Sequence, residues 1–278
     1  GLKQNTGIPW LADFRDPWSN IDYSDKLKLS ERAKRIHLRL ERSVLEDADL
    51  VVGVSQGMVD ELKALGAKNT CVITNGFDHD DFREESPSVS NSFVIAHIGV
   101  MPPSRNPGTL WSALNDLCED IDGFRDLLKV RLVGNVDQSI INDIRDSGLQ
   151  DRLDLVGQVD HAESIRMMRT SAILLLAINR SVNAKNIITG KLFEYMGAGR
   201  PVLAVGPEGG EVSDVLQQSG AGLMVDYENK EEMKDILTQW YSEFRKGSLS
   251  LPAEGIKRYS RYSLTKDMAV QLDKLCKT

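Results

Sequence analysis

Residues 185–205 read KNIITGKLFEYMGAGRPVLAV, and this stretch decides the fold of the chain. It is polar up to Gly190, and the apolar residues that follow, Leu192 to Met196, are spaced as on one face of a helix. Gly199 ends this pattern, and a short apolar run begins after Pro201. The stretch therefore predicts a loop, a helix, a turn and a strand.

The start of the predicted helix is a candidate site for a phosphorylated sugar. In an α/β sheet this helix terminus lies at the carboxyl edge, where backbone N–H groups and the helix dipole favour an anion. Lys191 adds a positive charge in the first turn, and Glu194, on the same face, can accept hydrogen bonds from sugar hydroxyls. Judged by spacing alone, an ordinary solvated helix face is the stronger interpretation.

The segment GKLFEYMGAGRPVL resembles the nucleotide-binding segment of the family-4 retaining glycosyltransferases, which have the GT-B fold. The resemblance implies that Glu194 is the second glutamate of the Glu-x7-Glu pattern and holds the ribose of the donor nucleotide. The first glutamate would fall where this chain has Asn186, whose amide can still hydrogen-bond a hydroxyl. Asn186 and Lys191 are candidate catalytic residues by this resemblance, and the candidate substrate-binding residues are Ile188, Thr189, Gly190 and Glu194.

The composition of this 278-residue chain bounds its function. A hydrophobic content of 41% is ample for a core, and the length fits one large or two ordinary domains. The net charge of −7 and the lack of a basic tract argue against nucleic acid as a main partner. No apolar run reaches transmembrane length, and no signal-peptide pattern opens the sequence. Three widely separated cysteines favour reduced thiols in the cytoplasm over disulfides or a zinc site.

Short β-like runs alternate with helical stretches in the later part of the chain. The runs are Phe93 to Ile98, Leu128 to Val133, Leu153 to Val156, Ala172 to Ile178, Pro201 to Val205 and Gly222 to Val225. This alternation predicts a doubly wound parallel sheet. Together with the resemblance, it gives the expected fold class: α/β of the GT-B type, a Rossmann-like doubly wound parallel sheet with a partial second Rossmann-like domain.

The loop after the first of these strands carries Gly99 and Arg105, at the same predicted sheet edge as Lys191. A guanidinium is suited to bidentate contact with phosphate. The resemblance implies that Arg105 grips the diphosphate as a catalytic residue and that Gly99 lies at the donor. Two residues depart from the family pattern: many members have a second basic residue where this chain has Val100, and a lysine where it has Asn106.

The loops after the next two strands face the same edge. The resemblance implies that backbone groups here contact the base, which makes Gly134 and Val159 candidate substrate-binding residues. Two histidines could titrate near neutral pH. We favour a structural interpretation for both, with His97 packed beside the sheet and His161 starting a surface helix.

Near the N-terminus, Ile8 to Phe14 reads as a buried strand, with Arg15 and Asp16 at its carboxyl end. Two interpretations stay open: a direct role in binding, or a turn capped by Asp16 with Arg15 paired to a nearby carboxylate. The segment resembles the part of the same glycosyltransferases that borders the cleft from the N-terminal domain, near the place of a catalytic histidine. Because Arg15 stands at that place, the resemblance gives a location, and Arg15 and Asp16 are candidate substrate-binding residues.

The next segments continue an α/β pattern. The expected elements are a charged helix over 25–47, a strand over 49–54, a helix capped by Ser55 and a strand over 70–74. The apolar face predicted for the first helix comprises Leu27, Ala33, Ile36, Leu40, Val44 and Leu45. Asn75 and Gly76 form a predicted turn. The turn resembles the Asn-Gly-x-Asp motif that closes the N-terminal domain at the cleft, so Asn75 is a further candidate substrate-binding residue.

The C-terminal segment from Tyr259 predicts an amphipathic helix with Leu264, Met268, Leu272 and Leu275 on one face. In the GT-B fold such a helix crosses back to the N-terminal domain. The expected domains are 1–84, the end of a truncated acceptor-side domain; 85–256, the donor-binding domain; and 257–278, the returning helix. Residues 84–92 are the expected linker, and the chain is expected to be a fragment that is inactive by itself.

Residues 78–81, Asp-His-Asp-Asp, contain ligand types that suit a hard cation or zinc. They fall on a predicted surface turn, and GT-B enzymes generally work without a metal. The resemblance therefore implies no metal and no cofactor, the nucleotide-sugar donor being a substrate.

The function implied by the resemblance is that of a hexosyltransferase-like enzyme. It would transfer a sugar from a nucleotide-diphosphate sugar, based on UDP or GDP, to an acceptor hydroxyl with retention, in cell-surface polysaccharide or glycoconjugate biosynthesis. The acceptor would be a glycan, a lipid-linked molecule or a small molecule, and the expected location is the cytoplasm or the inner face of the membrane, with peripheral membrane contact left open. Two alternatives remain: a GT-B nucleotide-sugar 2-epimerase, and a non-catalytic nucleotide-binding or interaction module, which Asn186 and Val100 favour.

Overall fold

A computed structural model of the chain describes residues 2–21, 27–83, 89–181, 183–251 and 253–277. These residues form two compact units. Unit 1 comprises residues 1–76 with 258–278, and unit 2 comprises residues 77–257. The expected linker at 84–92 lies partly outside the described residues, since 84–88 are not among them.

The helices and strands are as follows. Unit 1 contains α1 (Leu2–Thr6), β1 (Leu11–Phe14), α2 (Glu31–Asp47), β2 (Leu50–Gly53), α3 (Gln56–Leu65), β3 (Thr70–Val72) and α12 (Arg261–Cys276). Unit 2 contains β4 (Phe93–Ile98), α4 (Gly108–Asp120), α5 (Phe124–Leu127), β5 (Leu128–Val133), α6 (Gln138–Ile144), β6 (Leu153–Val156), α7 (His161–Thr170), β7 (Ile173–Ala177), α8 (Gly190–Gly197), β8 (Val202–Val205), α9 (Glu211–Ser219), β9 (Gly222–Val225), α10 (Lys230–Arg245) and α11 (Ala253–Ile256).

Unit 1 is built on a parallel sheet with the strand order β1-β2-β3. Leu50, Val52 and Ile73 form a small core on it, and Leu264, Met268 and Leu275 of α12 pack against that core. Leu272 was predicted to share this face, but its side chain is 45% exposed.

The turn at Asn75 and Gly76 lies against the C-terminal segment. An added Cβ at Gly76 would overlap the carbonyl of Tyr259 and the side chain of Leu264. Glycine is therefore required here because two segments of backbone approach each other closely.

Two predictions for unit 1 are wrong in part. The strand expected from Ile8 begins only at Leu11, and Ile8 is 64% exposed. The helix expected from residue 25 begins at Glu31, after the N-cap Ser30, while residues 22–26 lie outside the described ranges. Its predicted apolar face is correct at Leu45, which is buried, but not at Ile36 and Leu40, which are exposed.

The buried residues of α2 show why the hydrophobic pattern gave a partly wrong prediction. The buried positions of α2 are Glu41 and Leu45. Glu41 is accommodated because its carboxylate accepts hydrogen bonds from the backbone N–H of Ser19, at 3.2 Å, and from the Ser19 hydroxyl. A carboxylate is thus buried because its hydrogen bonds are satisfied, at a position that the hydrophobic pattern did not include in the buried face.

Unit 2 has a parallel sheet with the strand order β6-β5-β4-β7-β8-β9. All residues of β4 are buried, as expected for a central strand covered on both faces. The predicted bounds of β4, β5, β6 and β9 match the structure, whereas β8 begins one residue late because Pro201 has no N–H to donate to the sheet. The predicted α/β, doubly wound architecture is confirmed.

The main core of unit 2 lies between the sheet and the helices α4, α6 and α10. Phe93 is fully buried in it, with its ring centroid 5.8 Å from that of Phe124 and 5.3 Å from those of Tyr241 and Phe244. This aromatic cluster anchors the amino end of β4 and so fixes the strand whose carboxyl end carries the candidate site.

Removal of the Phe93 ring tests this role. We expect Phe93→Ala to lower the free energy of unfolding by about 3 to 5 kcal/mol, because it leaves a cavity among three aromatic rings. Leu223→Ala is the matched control, since Leu223 is 45% exposed in β9 of the same sheet, and should cost less than about 1 kcal/mol. Urea denaturation measures both, and equal losses in the two variants would contradict the assignment of Phe93 to the core.

Candidate functional site

The candidate site lies where the winding of the unit 2 sheet reverses. From β4 the chain proceeds outward through β5 and β6, and it then returns to place β7 on the other side of β4, followed by β8 and β9. Loops at the carboxyl ends of β4 and β7 therefore leave in opposite directions and open a crevice between them. A small cleft occupies this place, and its lining includes His97, Arg105, Asn179, Ile187, Thr189 and Lys191.

The N-terminus of α8 borders this cleft. The Thr189 hydroxyl caps the helix by accepting the backbone N–H of Lys191 at 3.3 Å. Buried Tyr195, one turn further along α8, anchors the helix, because its hydroxyl accepts the backbone N–H of Ile98 at 2.9 Å. The sequence thus builds an anchored helix start, with its free N–H groups at the sheet edge, as the loop–helix pattern predicted.

The Lys191 side chain lies across the end of β4. Its ammonium group donates a hydrogen bond to the carbonyl of Ile98. Gly99, next in the chain, has a φ of +125°, and an added Cβ there would overlap the Lys191 ammonium. The backbone conformation favours glycine at this position, and a larger residue would also displace the Lys191 ammonium from the Ile98 carbonyl.

The charge of Lys191 is partly desolvated. Burial lowers the pKa of its ammonium group, and the guanidinium of Arg105 adds to this, while the Glu194 carboxylate opposes both. Within the described ranges neither Lys191 nor Arg105 forms a salt bridge. The cleft therefore contains two neighbouring cations without a paired carboxylate, which is an environment that favours an anion.

Arg105 ends a 3-10 turn in the loop after β4. Its Nε donates to Oδ1 of Asn179 at 2.7 Å, and one terminal nitrogen lies 3.4 Å from the carbonyl of Val100. The other N–H groups of the guanidinium are not used by these two contacts. The protein thus holds Nε and one terminal nitrogen of Arg105, while the remaining N–H groups of the guanidinium can still bind a ligand.

The structure brings some of the other predicted residues of unit 2 to this edge. Gly134 follows β5 and lies against Gly99, whose carbonyl is 2.8 Å from the position of an added Cβ at Gly134. Ile188 leads into α8, and Glu194 is exposed one turn along that helix. Asn186 is exposed and ends a 3-10 turn.

Val159 lies apart from these residues in sequence and strand order. It is half-buried in the loop between β6 and α7, and β6 is the edge strand beyond β5. A contact of this loop with the base stays a prediction.

Arg15, Asp16 and Asn75 belong to unit 1. The Arg15 guanidinium pairs with Asp13 at 2.7 Å and also donates to the carbonyls of Ile73 and Thr74 at 3.3 Å. The pairing with a nearby carboxylate, one of the two interpretations left open, is therefore present. Asp16 is exposed.

The acidic residues at 78–81 have other partners. Asp78 caps a 3-10 turn by accepting the backbone N–H of Asp80 at 3.0 Å. Asp80 pairs with Arg83 at 2.7 Å, and Asp81 lies 3.1 Å from Nε2 of His161. Across the described ranges no group of three or more potential metal ligands is present.

Sequence reasoning missed Asn179, and it did not place His97 at the cleft. His97 is buried in β4, as predicted, but it also lines the cleft, and its Nδ1 lies 3.1 Å from the carbonyl of Leu175. Burial lowers its pKa to about 4, and the nearby charges of Lys191 and Arg105 add to this shift. The imidazole is therefore neutral at physiological pH and adds no third positive charge.

Comparisons with known proteins agree with this architecture. The sequence profile of the family described as "Glycosyl transferases group 1" matches residues 92–243, which is more than half of the chain. The chain belongs to the group 1 glycosyltransferases. A sequence search of curated proteins finds no match.

Solved structures of glycosyltransferases share the fold. A glycosyltransferase from Rickettsia africae is 14% identical, with a TM-score of 0.69, over 100% of this chain and 79% of that one. Sucrose-phosphate synthase from Thermosynechococcus elongatus is 17% identical, with a TM-score of 0.65, over 99% and 69%. TarM from S. aureus, in complex with UDP among other ligands, is 15% identical, with a TM-score of 0.63, over 94% of this chain and 50% of its own length. At these identities the likeness shows the GT-B fold alone.

The region of the chain that matches the family, residues 92–243, includes the whole candidate cleft, since β4, the Arg105 loop, β7 and α8 all lie within it.

In the described part of the chain no helix has the length and apolarity needed to span a bilayer.

The neutral state of His97 has a consequence for stability. Because the folded-state pKa is about 4 and the usual value is 6.5, the unfolded chain binds a proton between these values that the folded chain does not. The contribution of neutral His97 is complete above about pH 6.5 and is lost as the pH falls towards 4, by an amount on the order of 3 kcal/mol.

We therefore expect His97→Gln to flatten the decline of the unfolding free energy between pH 7 and pH 4. Urea denaturation at unit steps of pH measures this slope in both proteins. An unchanged slope in His97→Gln would show that His97 does not carry the effect.

Proposed function

We propose that unit 2 binds a nucleoside-diphosphate sugar in the cleft between β4 and β7, and that the protein transfers this sugar to an acceptor hydroxyl with retention. The observation that carries the proposal is the meeting of Lys191, Arg105 and the N-terminus of α8 at one edge of the sheet. A diphosphate is the ligand that best matches two unpaired cations beside a helix N-terminus.

The proposed chemistry uses the same groups. As the bond between the anomeric carbon and the diphosphate oxygen breaks, negative charge grows on the leaving diphosphate. Lys191, Arg105 and the backbone N–H groups at the start of α8 are fixed before the reaction, so they stabilise this charge without reorganising. The acceptor oxygen bonds to the anomeric carbon on the face that the diphosphate leaves, and its proton passes to the departing diphosphate oxygen. The protein cations and the helix terminus supply the positive charge for this step, and we propose that no metal is needed.

Glu194 is proposed to accept hydrogen bonds from the ribose of the donor. It is exposed on α8, one turn beyond Lys191, with its charge close enough to act on the pKa of that lysine. Asn186 is proposed to hydrogen-bond a hydroxyl of the donor sugar in place of the family's glutamate. Two of the similar solved structures contain UDP or UDP-2-fluoro glucose, so UDP is the first nucleotide to test and GDP the second.

The acceptor side is proposed from the resemblance and involves Arg15, Asp16 and Asn75 of unit 1. The same proposal includes a cytoplasmic location and a role in cell-surface polysaccharide or glycoconjugate synthesis. It also includes the domain limits 1–84, 85–256 and 257–278. One of the similar structures, WaaG, is described as involved in lipopolysaccharide biosynthesis, which supports the biological role by analogy.

A non-catalytic nucleotide-binding module is the second candidate. It is favoured by Asn186, which stands where the family pattern has a glutamate, and by Val100 in place of a second basic residue. Product analysis separates the two functions: the transferase converts a nucleotide sugar and an acceptor to a glycoside of unchanged anomeric configuration, whereas the module binds nucleotide without turnover.

Nucleotide binding tests the donor site directly. Calorimetric titration with UDP, GDP and their sugar conjugates should show one preferred nucleotide. Lys191→Ala should weaken its binding by about 1 to 3 kcal/mol, because a charge-assisted hydrogen bond to the diphosphate is lost. Glu194→Ala should have an effect of the same order, and it should act on nucleotides and not on inorganic pyrophosphate, because its proposed partner is the ribose.

Lys246→Ala is the matched control, since Lys246 is an exposed lysine after the end of α10. Its affinity should equal that of the wild-type chain. Equal losses in Lys191→Ala and Lys246→Ala would indicate a general effect of net charge and contradict the proposed site. The absence of nucleotide binding at millimolar concentrations would contradict a preformed donor site in this chain.

A further inference from the structure

We propose that Asn179 is a positioning residue that aims the Arg105 guanidinium at the donor diphosphate. This inference rests on the proposed function for the role of Arg105, but the contact itself can be tested without a nucleotide. Asn179 follows β7 and Arg105 follows β4, so the pair bridges the two sides of the crevice at the reversal of the sheet.

The hydrogen bond between the two side chains has a fixed direction. Nε of arginine can only donate, so the atom of Asn179 that meets it at 2.7 Å is the amide oxygen. The contact of Arg105 with the Val100 carbonyl is longer, at 3.4 Å. The Asn179 bond is therefore the shorter of the two contacts and fixes the plane of the guanidinium, while the far edge of the fork stays available for phosphate oxygens.

Backbone contacts hold the Asn179 loop in place beside the Arg105 loop. The backbone N–H of Arg180 donates to the carbonyl of Ser104 at 3.0 Å. Ser104 and Arg105 belong to the same 3-10 turn. The side-chain bond and this backbone bond thus join the same two loops at adjacent residues, which limits their relative movement.

A third loop, the one after β9, also contacts Asn179. The Tyr227 hydroxyl donates to the carbonyl of Asn179 at 3.0 Å, and the guanidinium of Arg180 lies 4.3 Å from the centre of the Tyr227 ring. Arg180 also pairs with Glu228 at 2.7 Å. The backbone of Asn179 is therefore held at its own carbonyl and at the following residue, Arg180, so its side-chain amide oxygen has a well-defined position.

The expected benefit is pre-organisation. A free arginine side chain loses rotamer freedom when it grips a phosphate, and this loss lowers the affinity. Arg105 has lost part of that freedom before the ligand arrives, because Asn179 holds its Nε. Replacement of Asn179 should thus weaken diphosphate binding although Asn179 itself need not touch the ligand.

The first measurement compares ligands with and without the diphosphate. Asn179→Ala should weaken the binding of the preferred nucleotide, UDP or GDP, and of inorganic pyrophosphate about tenfold, because Arg105 must then lose its rotamer freedom when it grips the ligand. Binding of the corresponding nucleoside should not change. Asn115→Ala is the matched control, because Asn115 also makes one side-chain hydrogen bond, to Glu119 on α4. An equal loss for nucleoside and diphosphate would overturn the proposal by indicating a general loosening of the unit.

A double-mutant cycle separates positioning from a direct contact or an independent structural effect. If Asn179 acts through Arg105, Asn179→Ala should have little effect on diphosphate affinity in the background of Arg105→Ala. Additive losses in the double variant would overturn the proposal. Asn179→Asp keeps an acceptor for the Nε–H of Arg105, so this hydrogen bond should remain. The negative charge that it adds competes with the phosphate for the guanidinium.

The last measurement tests the contact in the free chain. In the NMR spectrum of the wild-type chain, the Nε–H signal of Arg105, identified by its absence in Arg105→Lys, should exchange slowly with water. It should exchange much faster in Asn179→Ala and remain protected in Asn179→Asp. Equal exchange in wild type and Asn179→Ala would overturn the positioning role. Normal protection in a chain that binds no nucleotide would instead contradict the proposed function while leaving the contact established.

Discussion

The ammonium group of Lys191 rests on the backbone at the end of β4, and the rest of the candidate site depends on this contact. The bond from Lys191 to the Ile98 carbonyl uses space that a Cβ at Gly99 would fill, and the Tyr195 hydroxyl ties α8 to the same residue of β4. One strand end thus holds both the start of a helix and a partly buried positive charge. The desolvation that lowers the pKa of Lys191 also strengthens its attraction for an anion that enters the cleft.

The topology of the sheet explains why the cations gather at this point. Parallel strands place all their carboxyl ends at one edge, and the reversal between β4 and β7 leaves space there that no crossover helix fills. Arg105 arrives from the loop after β4 and Lys191 from the helix that follows the β7 loop. His97 lies beneath them and stays neutral, because burial and both cations lower its pKa to about 4. The charge of the cleft is thereby limited to the groups that a diphosphate would need.

Local sequence patterns predicted the elements of unit 2 well. The runs at β4 and β5 each end at a glycine, Gly99 and Gly134, so their carboxyl ends could be placed to the residue, and the loop–helix signal at Thr189 and Gly190 located α8. The patterns failed in part of unit 1, where Ile8 precedes β1 and is exposed, and where Glu41 is one of the two buried residues of α2. Hydrophobic periodicity cannot detect a buried carboxylate whose partner, Ser19, lies 22 residues away.

The candidate site could be predicted only in part for a related reason. Lys191 and Arg105 were identified by the resemblance of their local segments to glycosyltransferases, together with their residue type and their place at the predicted sheet edge. Asn179 was missed because its role comes from a contact with a residue 74 positions away, and the sequence around it carries no sign of that partner.

The crystal structure of this chain with bound UDP or GDP would test the account most directly. The account predicts that the diphosphate lies at the N-terminus of α8, with its oxygens about 3 Å from Lys191 and Arg105. A diphosphate bound away from the edge between β4 and β7, or one that touches neither cation, would contradict it.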